Sequence, residues 1–310
     1  MTSRGRAVLA LGGNALLRRG EDDTPDVMRS NARLAAERVA DIAGAGWEVV
    51  LTHGNGPQVG RILLQNEAAR DQVHPLPLDV LGAESQGQIG YLLQVSIGDV
   101  FYERGMERPV ATVLTLTRVP EDDPAFQQPT KPIGPYYDHV EAAGLAAERG
   151  WEMAEVTGGW RRVVPSPRPY SIVEAPVIRQ LAESGAIVIA AGGGGVPVVE
   201  RGPRLVGVEG VIDKDRAAGI LARDVEAEVL AILTDVDGVY ERYGQPDERV
   251  IDELTVDEAA RLLEDLPEGS MRPKLEAALG FVRDGGKLAV IASLDAAPEA
   301  IEGKAGTRIV

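Results

Sequence analysis

Lysine is rare in this chain, and the few lysines are the first side chains to suggest chemistry. The 32 basic residues include only five lysines, namely Lys131, Lys214, Lys274, Lys287 and Lys304. Codon bias towards arginine is the simplest explanation. Under such a bias, a lysine that remains indicates a place where a compact, mobile ammonium cannot be replaced by a planar guanidinium. The first three lie in segments rich in Gly, Pro and Asp, and are candidates for contact with an anion.

Two of these lysines begin predicted helices. Asp213 is suited to an N-cap position, which puts Lys214 in the first turn with Asp215 beside it. Pro273 suits the first turn of a later helix and brings Lys274 into that turn as well. A first-turn lysine works against the helix macrodipole. We therefore expect both ammonium groups to face one phosphoryl group, with Asp215 holding Lys214; solvated charged caps are the alternative.

Three glycine-rich loops follow predicted strands. They are residues 11–14 (LGGN), 53–57 (HGNGP) and 191–197 (AGGGGVP). Ligands bind at the carboxyl ends of strands in parallel sheets, so we expect the loops to meet at one crevice and to cradle an anion with backbone N–H groups. Simple turns are the alternative for any single loop. The chain has neither the P-loop motif nor the dinucleotide-binding fingerprint, which disfavours a P-loop NTPase and a Rossmann dehydrogenase.

Other candidate residues have structural explanations that compete with functional ones. The segment 233–240 (LTDVDGVY) suits contact with an adenine or ribose, with Asp235 near a Mg²⁺-bound phosphate, or a simple turn after a strand. His53 adjoins a glycine loop but is more typical of a packed residue, and the histidines lack metal-ligand spacing. Arg161 and Arg162 suit an anion clamp or a solvated basic pair.

The pattern of apolar residues predicts alternating strands and helices. The predicted strands are residues 7–11, 48–52, 109–117, 186–191, 229–234 and 288–292, and the predicted helices are 28–45, 83–103, 173–184, 213–223 and 256–266. This alternation is typical of a mainly parallel sheet covered on both faces. Residues 118–169 are rich in Pro and aromatic residues, and about 50 residues is too long for an ordinary connection, so they predict a lid or small subdomain.

Composition restricts the partners. The net charge of −16, from 48 acidic and 32 basic residues, repels nucleic acid and anionic membrane surfaces. No apolar run approaches the roughly 20 residues of a membrane-spanning helix. The chain has no cysteine, which excludes disulfides, thiolate nucleophiles and zinc–cysteine sites. We expect a cytoplasmic protein that binds neither nucleic acid nor membranes.

A series of motifs, in order over nearly the whole chain, resembles the carbamate kinases. The motifs are ALGGNAL at 10–16, THGNGPQVG at 52–60, GAESQGQIGY at 82–91, PTKPIGPYY at 129–137, WRRVVPSPRP at 160–169, GVEGVIDKD at 207–215, LTDVDGVY at 233–240 and GSMRPK at 269–274. The glycine loops and the late nucleotide segment are shared with the wider amino-acid kinase superfamily. The PTKPIGP and WRRVVPSP segments are similar to carbamate kinases in particular.

The resemblance implies a fold and an activity. The fold is α/β, a three-layer αβα sandwich around a mainly parallel eight-stranded sheet, with a protruding lid at about 118–169. One domain spans 1–310, in which 1–206 form the carbamoyl-phosphate side and 207–310 the nucleotide side. The activity is reversible phosphoryl transfer between carbamoyl phosphate and ADP, giving ATP and carbamate, by a homodimer. Mg²⁺ is the implied cofactor, held mainly by the nucleotide phosphates and without a direct protein ligand.

The resemblance also implies roles for individual residues. The catalytic set is Lys131, Lys214, Asp215 and Lys274, with Asp215 as the organiser of the lysines and Lys131 closing from the lid. The substrate-binding set is Gly12, Gly13, Asn14, Gly54, Asn55 and Gly56. The nucleotide-binding set is Thr234, Asp235, Val239, Tyr240, Gly269, Ser270, Met271 and Pro273. The alternatives are another superfamily kinase that phosphorylates a carboxylate, and a catalytically silent nucleotide-binding module.

Overall fold

A computed structural model describes residues 3–12, 17, 20–22, 24–266 and 270–310. The strands, in chain order, are β1 (Arg6–Leu11), β2 (Glu48–His53), β3 (Val110–Thr112), β4 (Leu116–Arg118), β5 (Lys131–Tyr137), β6 (Met153–Val156), β7 (Gly159–Val164), β8 (Ser171–Ile172), β9 (Ile187–Ile189), β10 (Val196–Arg201), β11 (Arg204–Gly207), β12 (Val229–Thr234), β13 (Tyr240–Glu241), β14 (Arg249–Val250), β15 (Glu253–Leu254), β16 (Leu288–Ser293) and β17 (Thr307–Ile309). The helices are α1 (Pro25–Gly44), α2 (Gly56–Ala68), α3 (Leu78–Glu103), α4 (His139–Arg149), α5 (Ala175–Glu183), α6 (Lys214–Asp224), α7 (Val256–Asp265), α8 (Met271–Arg283) and α9 (Ala297–Ile301).

The main sheet has eight strands within these residues, in the order β15-β17-β16-β12-β1-β2-β9-β3. The six strands from β16 to β3 are parallel, and β17 runs antiparallel to β16. The predicted mainly parallel, eight-stranded sheet is therefore confirmed. Strands β2, β9 and β3 lie on one side of β1, and strands β12, β16, β17 and β15 lie on the other side. The strand order thus reverses between β1 and β12, which is where such sheets form a ligand crevice.

Helices cover both faces of this sheet. Successive strand residues point to opposite faces. On one face, α1, α3 and α9 pack on residues such as Leu9 and Leu51. On the other face, α5, α6, α7 and α8 pack on residues such as Val8 and Ile232. The expected three-layer αβα sandwich is therefore confirmed. Among the described residues, no helix has both the length and the apolar character needed to cross a membrane.

The strand predicted at residues 109–117 was wrong, because two strands occupy this segment. β3 belongs to the main sheet, whereas β4 belongs to a second sheet with the order β11-β10-β4-β8. The backbone turns away from the main sheet at Thr115, whose N–H donates to Gln86 Oε1 at 2.9 Å while Gln86 Nε2 donates to the Thr115 carbonyl at 3.1 Å. The Gln86 side chain of α3 therefore hydrogen-bonds the backbone at this turn, where the Thr115 carbonyl also accepts from the Val196 N–H of β10 at 2.9 Å.

The lid is a three-stranded sheet with the order β5-β7-β6, together with α4. It spans residues 131–164 and is narrower than the expected 118–169, because Val119 and Phe126 pack with the second sheet instead. Helix α2, which we did not predict, supports the lid. A Cβ atom at Gly60 would lie only 3.2 Å from the Gly134 Cα atom, so the lid backbone rests directly on α2.

Candidate active site

The crevice at the centre of the main sheet is formed by the ends of neighbouring strands. The Gly54 N–H donates to the Leu11 carbonyl at 3.2 Å, and the Gly12 N–H donates to the Leu233 carbonyl at 3.0 Å. The loops after β1, β2 and β12 are thereby held side by side. The predicted convergence of Gly12 with the 53–57 loop is therefore present, while Gly13 and Asn14 lie outside the described residues.

The glycine run at 192–195 packs against the 53–57 loop and against Ile212, too closely for any side chain. A Cβ atom at Gly192 would lie 2.4 Å from the His53 ring, and one at Gly193 would lie 2.1 Å from Asn55 Nδ2. At Gly194, it would lie 2.7 Å from the Ile212 carbonyl oxygen. Close packing therefore explains these glycines. The run clamps the 53–57 loop to the segment that leads into α6.

Asn55 is oriented by α3 at the start of α2. Its Nδ2 donates to Ser85 Oγ at 2.8 Å, and Ser85 Oγ donates to the Gly82 carbonyl at 2.6 Å. Asn55 occupies the N-cap position without a side-chain capping bond, and Gly56 is the first helical residue. The first-turn N–H groups of α2 lack intrahelical partners, and such groups bind anions.

His53 is a packed, neutral residue. It is buried at the end of β2, and its Nδ1–H donates to the Gly54 carbonyl at 3.0 Å. Burial, with a smaller contribution from the positive charge of Lys214, lowers the pKa of His53 to about 4, although the hydrogen bond to Gly54 opposes the shift. Of the two explanations for this residue, the structure supports packing against the glycine run.

A cluster of lysine and aspartate side chains lies at the start of α6; we call Lys131, Asp213, Lys214, Asp215 and Lys274 the Lys–Asp cluster. Asp215 is 3% exposed and lies at its centre. Its Oδ1 accepts from Lys214 Nζ at 2.7 Å, and its Oδ2 accepts from Lys274 Nζ at 2.9 Å. One buried carboxylate therefore fixes ammonium groups from two helices in place. Local spacing predicted the contact of Asp215 with Lys214, and the family resemblance implied that Asp215 organises Lys274 as well; the structure shows both contacts.

Lys131 joins the cluster from the lid. Its Nζ donates to Asp213 Oδ2 at 2.8 Å. Asp213 Oδ1 accepts from the backbone N–H groups of Asp215 at 3.0 Å and Arg216 at 3.4 Å, which confirms the predicted N-cap. Burial raises the pKa of Asp213, but the Lys131 charge and these hydrogen bonds outweigh it, so the pKa lies below its usual value. With three ammonium groups against two carboxylates, the cluster keeps an excess of one positive charge.

A cavity of about 820 Å³ adjoins the Lys–Asp cluster. Its lining residues are Thr234, Asp235, Val236, Val239, Tyr240, Glu241, Arg242, Tyr243, Leu262, Leu266, Ser270, Met271 and Lys274. Cavities of this size, mostly apolar with a few polar groups, are typical of small-molecule sites. Because Lys274 belongs both to the cavity wall and to the cluster, a ligand in the cavity reaches the ammonium groups.

Most of the residues assigned to the nucleotide line this cavity. They are Thr234, Asp235, Val239, Tyr240, Ser270 and Met271. Pro273 does not line it and lies in the first turn of α8, and Gly269 lies outside the described residues. Tyr243, Leu262 and Leu266 also line the cavity and were not predicted. The aromatic spacing from Tyr240 to Tyr243, whose rings lie 5.6 Å apart, was a readable signal, whereas the two leucines reach the cavity only through the packing of α7.

Three arginines near the site are engaged elsewhere. Arg272 Nη1 donates to the Leu263 and Leu266 carbonyls, at 2.9 and 2.7 Å, and so binds the end of α7. Arg161 Nη2 donates to the Gly134 carbonyl at 2.7 Å, inside the lid.

The third of these arginines, Arg162, pairs with Glu209 at 3.3 Å, and its guanidinium carbon lies 4.6 Å from the centre of the Trp151 ring. Arg161 and Arg162 are therefore structural residues of the lid. Their described contacts match neither an anion clamp nor a solvated basic pair.

Comparison with known proteins assigns the class of this fold and site. The model of the amino acid kinase family matches residues 5–293. Among solved structures, a carbamate kinase from Giardia lamblia bound to AMP-PNP superposes with a TM-score of 0.94 at 43% identity, covering 100% of this chain and 99% of that chain. The chain therefore has the fold of the amino acid kinase family and belongs to this class of phosphotransferases.

Curated relatives narrow the assignment. A carbamate kinase from Thermococcus kodakarensis is 53% identical, covering 98% of this chain and 99% of its own length. A carbamate kinase from Halobacterium salinarum is 52% identical, covering 98% of this chain and 97% of its own length. The chain belongs to the carbamate kinases of the amino acid kinase family.

Proposed function

We propose that the chain catalyses reversible, Mg²⁺-dependent phosphoryl transfer between carbamoyl phosphate and ADP, giving ATP and carbamate. The observation that carries the proposal is Asp215, which holds the Lys214 and Lys274 ammonium groups together beside the 820 Å³ cavity. Residues 1–206 form the carbamoyl-phosphate side and residues 207–310 the nucleotide side. The two halves contribute the adjacent strands β1 and β12, so the two substrates meet at the ends of these neighbouring strands.

Phosphoryl transfer requires little covalent chemistry from a protein. The donor and acceptor oxygens must lie in line, and the charge on the equatorial oxygens must be neutralised. In the proposed mechanism, Lys214 and Lys274 neutralise the phosphoryl group in transit, and Asp215 keeps both in place without reorganisation. Lys131 closes over the carbamoyl phosphate from the lid.

The substrate side of the crevice binds carbamoyl phosphate through backbone groups. We assign Gly12, Gly54, Asn55 and Gly56 to this role, together with Gly13 and Asn14. Support comes from the hydrogen bonds that hold the first two loops together and from the start of α2, where first-turn N–H groups face an anion favourably.

The cavity beside Lys274 holds the nucleotide. Val239, Tyr240 and Met271 offer apolar surface to the base, while Thr234 and Asp235 offer polar groups. The Giardia lamblia relative was solved with AMP-PNP, an ATP analogue, which supports a nucleotide site in this fold.

Mg²⁺ is held mainly by the nucleotide phosphates in this proposal. Among the described residues, no group of three or more His, Asp or Glu side chains is placed to hold a metal ion. Asp213 and Asp215 direct their oxygens at lysines and backbone N–H groups. A site with these carboxylates already engaged suits Mg²⁺, because this ion commonly keeps several waters and is bound through substrate phosphates. When bound, the ion neutralises phosphate charge.

We also propose that the chain forms a homodimer through the edge of the main sheet. β3 is the last strand of this sheet, and beside it lies an apolar groove of about 450 Å³ lined by Tyr91, Val95, Thr112 and Leu114, among others. An open strand edge next to exposed apolar side chains is rarely left uncovered. A second copy related by a two-fold axis presents the same surface in return.

The decisive experiment is ATP formation by the purified protein from ADP and carbamoyl phosphate, with and without Mg²⁺. We expect activity that requires all three reactants. Acetylglutamate, glutamate and UMP, assayed in the reverse direction with ATP, test the other kinases of this superfamily. Activity with one of these and none with carbamoyl phosphate would overturn the proposal, as would nucleotide binding without any phosphoryl transfer.

A further inference from the structure

Asp213 connects the lid to α6, the helix that carries Lys214 and Asp215. Its Oδ2 accepts from Lys131 Nζ at 2.8 Å, and its Oδ1 accepts from the Asp215 N–H at 3.0 Å. The two oxygens of one carboxylate thus face two parts of the protein that are 82 residues apart in sequence. One oxygen fixes the start of α6, and with it the carboxylate between Lys214 and Lys274. The other determines where the Lys131 ammonium lies.

The lid meets the same segment at further points. Arg162 pairs with Glu209 at 3.3 Å, and directly after the last lid residue the Pro165 carbonyl accepts from the Val211 N–H at 2.9 Å. The Lys131–Asp213 pair adjoins Lys214, because Asp213 directly precedes Lys214 in the chain. The lid is therefore anchored along residues 209–213, and its last anchor adjoins the Lys–Asp cluster.

The Lys131 ammonium has hydrogen-bonding capacity beyond this pair. An ammonium carries three N–H donors, and the described contacts of Lys131 Nζ use one of them, on Asp213. The remaining donors are available to phosphate oxygens while the contact with Asp213 persists. Asp213 can therefore hold Lys131 in place during substrate binding.

We propose that Asp213 is a positioning residue: it holds the Lys131 ammonium at the start of α6, so that the lid reaches carbamoyl phosphate with this charge already aligned. The inference rests on the proposed function and assigns a role to a residue that does not itself touch the substrate. Preorganisation of this kind improves substrate binding, because less freedom is lost when the complex forms.

Asp213→Asn tests this role with little disturbance to the fold. Asn is as good an N-cap as Asp, so α6 is retained, while the charge that pairs with Lys131 is lost. We expect KM for carbamoyl phosphate to rise about twofold to fivefold, the effect of losing one partly exposed ion pair, with KM for ADP nearly unchanged. Asp138→Asn is the matched control, because Asp138 is the N-cap of α4 and accepts from Val140 and Glu141. This control should behave like the wild type.

A double-variant comparison separates positioning from a general structural effect. Lys131→Met should raise KM for carbamoyl phosphate, and adding Asp213→Asn should raise it no further, because the pair is already broken. An unchanged or lowered KM in Asp213→Asn would overturn the inference. The inference would also be overturned if Asp213→Asn raised KM for carbamoyl phosphate by the same factor in the wild type and in Lys131→Met.

Hydrogen exchange tests the same pair without relying on catalysis. In the substrate-free protein, we expect faster amide exchange in β5 and β7 for both Asp213→Asn and Lys131→Met than for Asp138→Asn. Equal exchange in all three would contradict a role for the pair in holding the lid. If the wild type lacks activity but Asp213→Asn and Lys131→Met still show faster exchange in the lid, the proposed function fails. The role of Asp213 in holding Lys131 then stands. If Asp213→Asn does not fold, the exchange of Lys131→Met decides the question.

Discussion

At the residue scale, the two lysines bound to Asp215 should be the most sensitive positions in the protein. Each supplies a preorganised positive charge to the phosphoryl group, and loss of one such donor costs about 10²- to 10³-fold in rate. We therefore expect Lys214→Met and Lys274→Met to lower kcat by about this factor, with thermal unfolding showing that both variants still fold. Steady-state assays of ATP formation measure the effect.

The matched control for these variants is Lys287→Met. Lys287 is an exposed lysine that pairs with Glu228 at 2.7 Å, and its loss should leave kcat near the wild-type value. Retention of full activity in Lys214→Met or Lys274→Met would contradict the proposed mechanism.

His53 should make stability depend on pH. Its folded-state pKa of about 4 lies below the usual value of 6.5, so in acid the unfolded chain binds a proton that the folded chain does not. Stability is therefore fully retained above about pH 6.5 and falls progressively towards pH 4. At about pH 5, this single group should lower the free energy of unfolding by about 2 kcal/mol relative to pH 7.

Urea unfolding of the wild type and of His53→Gln at both pH values measures this contribution. The variant should be less stable at pH 7 but should lose less stability on acidification. His74 is exposed, so His74→Gln should retain the full wild-type dependence. A wild-type dependence in His53→Gln would show that other groups cause the loss.

At the scale of elements, the glycine run at 192–195 should tolerate no side chain. Gly193 has φ +65°, and a Cβ atom there would lie 2.1 Å from Asn55 Nδ2. We expect Gly193→Ala to destabilise the protein by about 2–4 kcal/mol, since it combines overpacking with backbone strain. It should also raise KM for carbamoyl phosphate, because Asn55 must move.

Gly202 separates these two causes. It has φ +61° in the β10–β11 hairpin, and a Cβ atom there would meet nothing within 4 Å. Gly202→Ala should therefore cost only the conformational penalty of about 1 kcal/mol, without affecting KM. Chemical denaturation and steady-state kinetics of the two variants test the comparison. Equal losses of stability would show that the close contact at Gly193 contributes nothing.

The sequence predicted the elements whose pattern is local. The buried strands β1, β2 and β12 and the amphipathic helices α1 and α6 were readable because their apolar periodicity and caps lie within the segment itself. Helix α2 also had a signal, with Pro57 in its first turn and apolar residues at 59, 62 and 63. We did not separate it from the glycine loop that precedes it.

The division of residues 109–117 between two sheets was not predictable in this way. It depends on the Gln86 side chain, which lies on a different element and hydrogen-bonds the Thr115 backbone where the chain leaves the main sheet. For the candidate site, the Asp213 cap and the Lys214–Asp215 contact followed from local spacing. The pairing of Lys131 with Asp213 did not, because it joins segments that only the folded lid brings together.

At the scale of the whole molecule, the proposed homodimer predicts a change of mass. A charge placed in the centre of an apolar interface disrupts it, because the charge must be desolvated. We expect the wild type to elute as a dimer and the variant Tyr91→Asp/Val95→Asp as a monomer, measured by light scattering after size-exclusion chromatography. Val177→Asp, an exposed position on α5 in the opposite helical layer, should remain dimeric. A wild-type monomer would refute this mode of assembly.

The scarcity of lysine has a practical consequence for chemical labelling. Reagents that acylate amines leave guanidinium groups untouched, so they have few targets in this arginine-rich chain. The Lys287 side chain is 72% exposed and Lys131 is 40% exposed, whereas Lys214 and Lys274 are 16% and 9% exposed and bound to Asp215. In mild acylation followed by peptide mapping, Lys287 would therefore serve as an internal standard. The extent of acylation of Lys131 would report whether a ligand is bound beneath the lid.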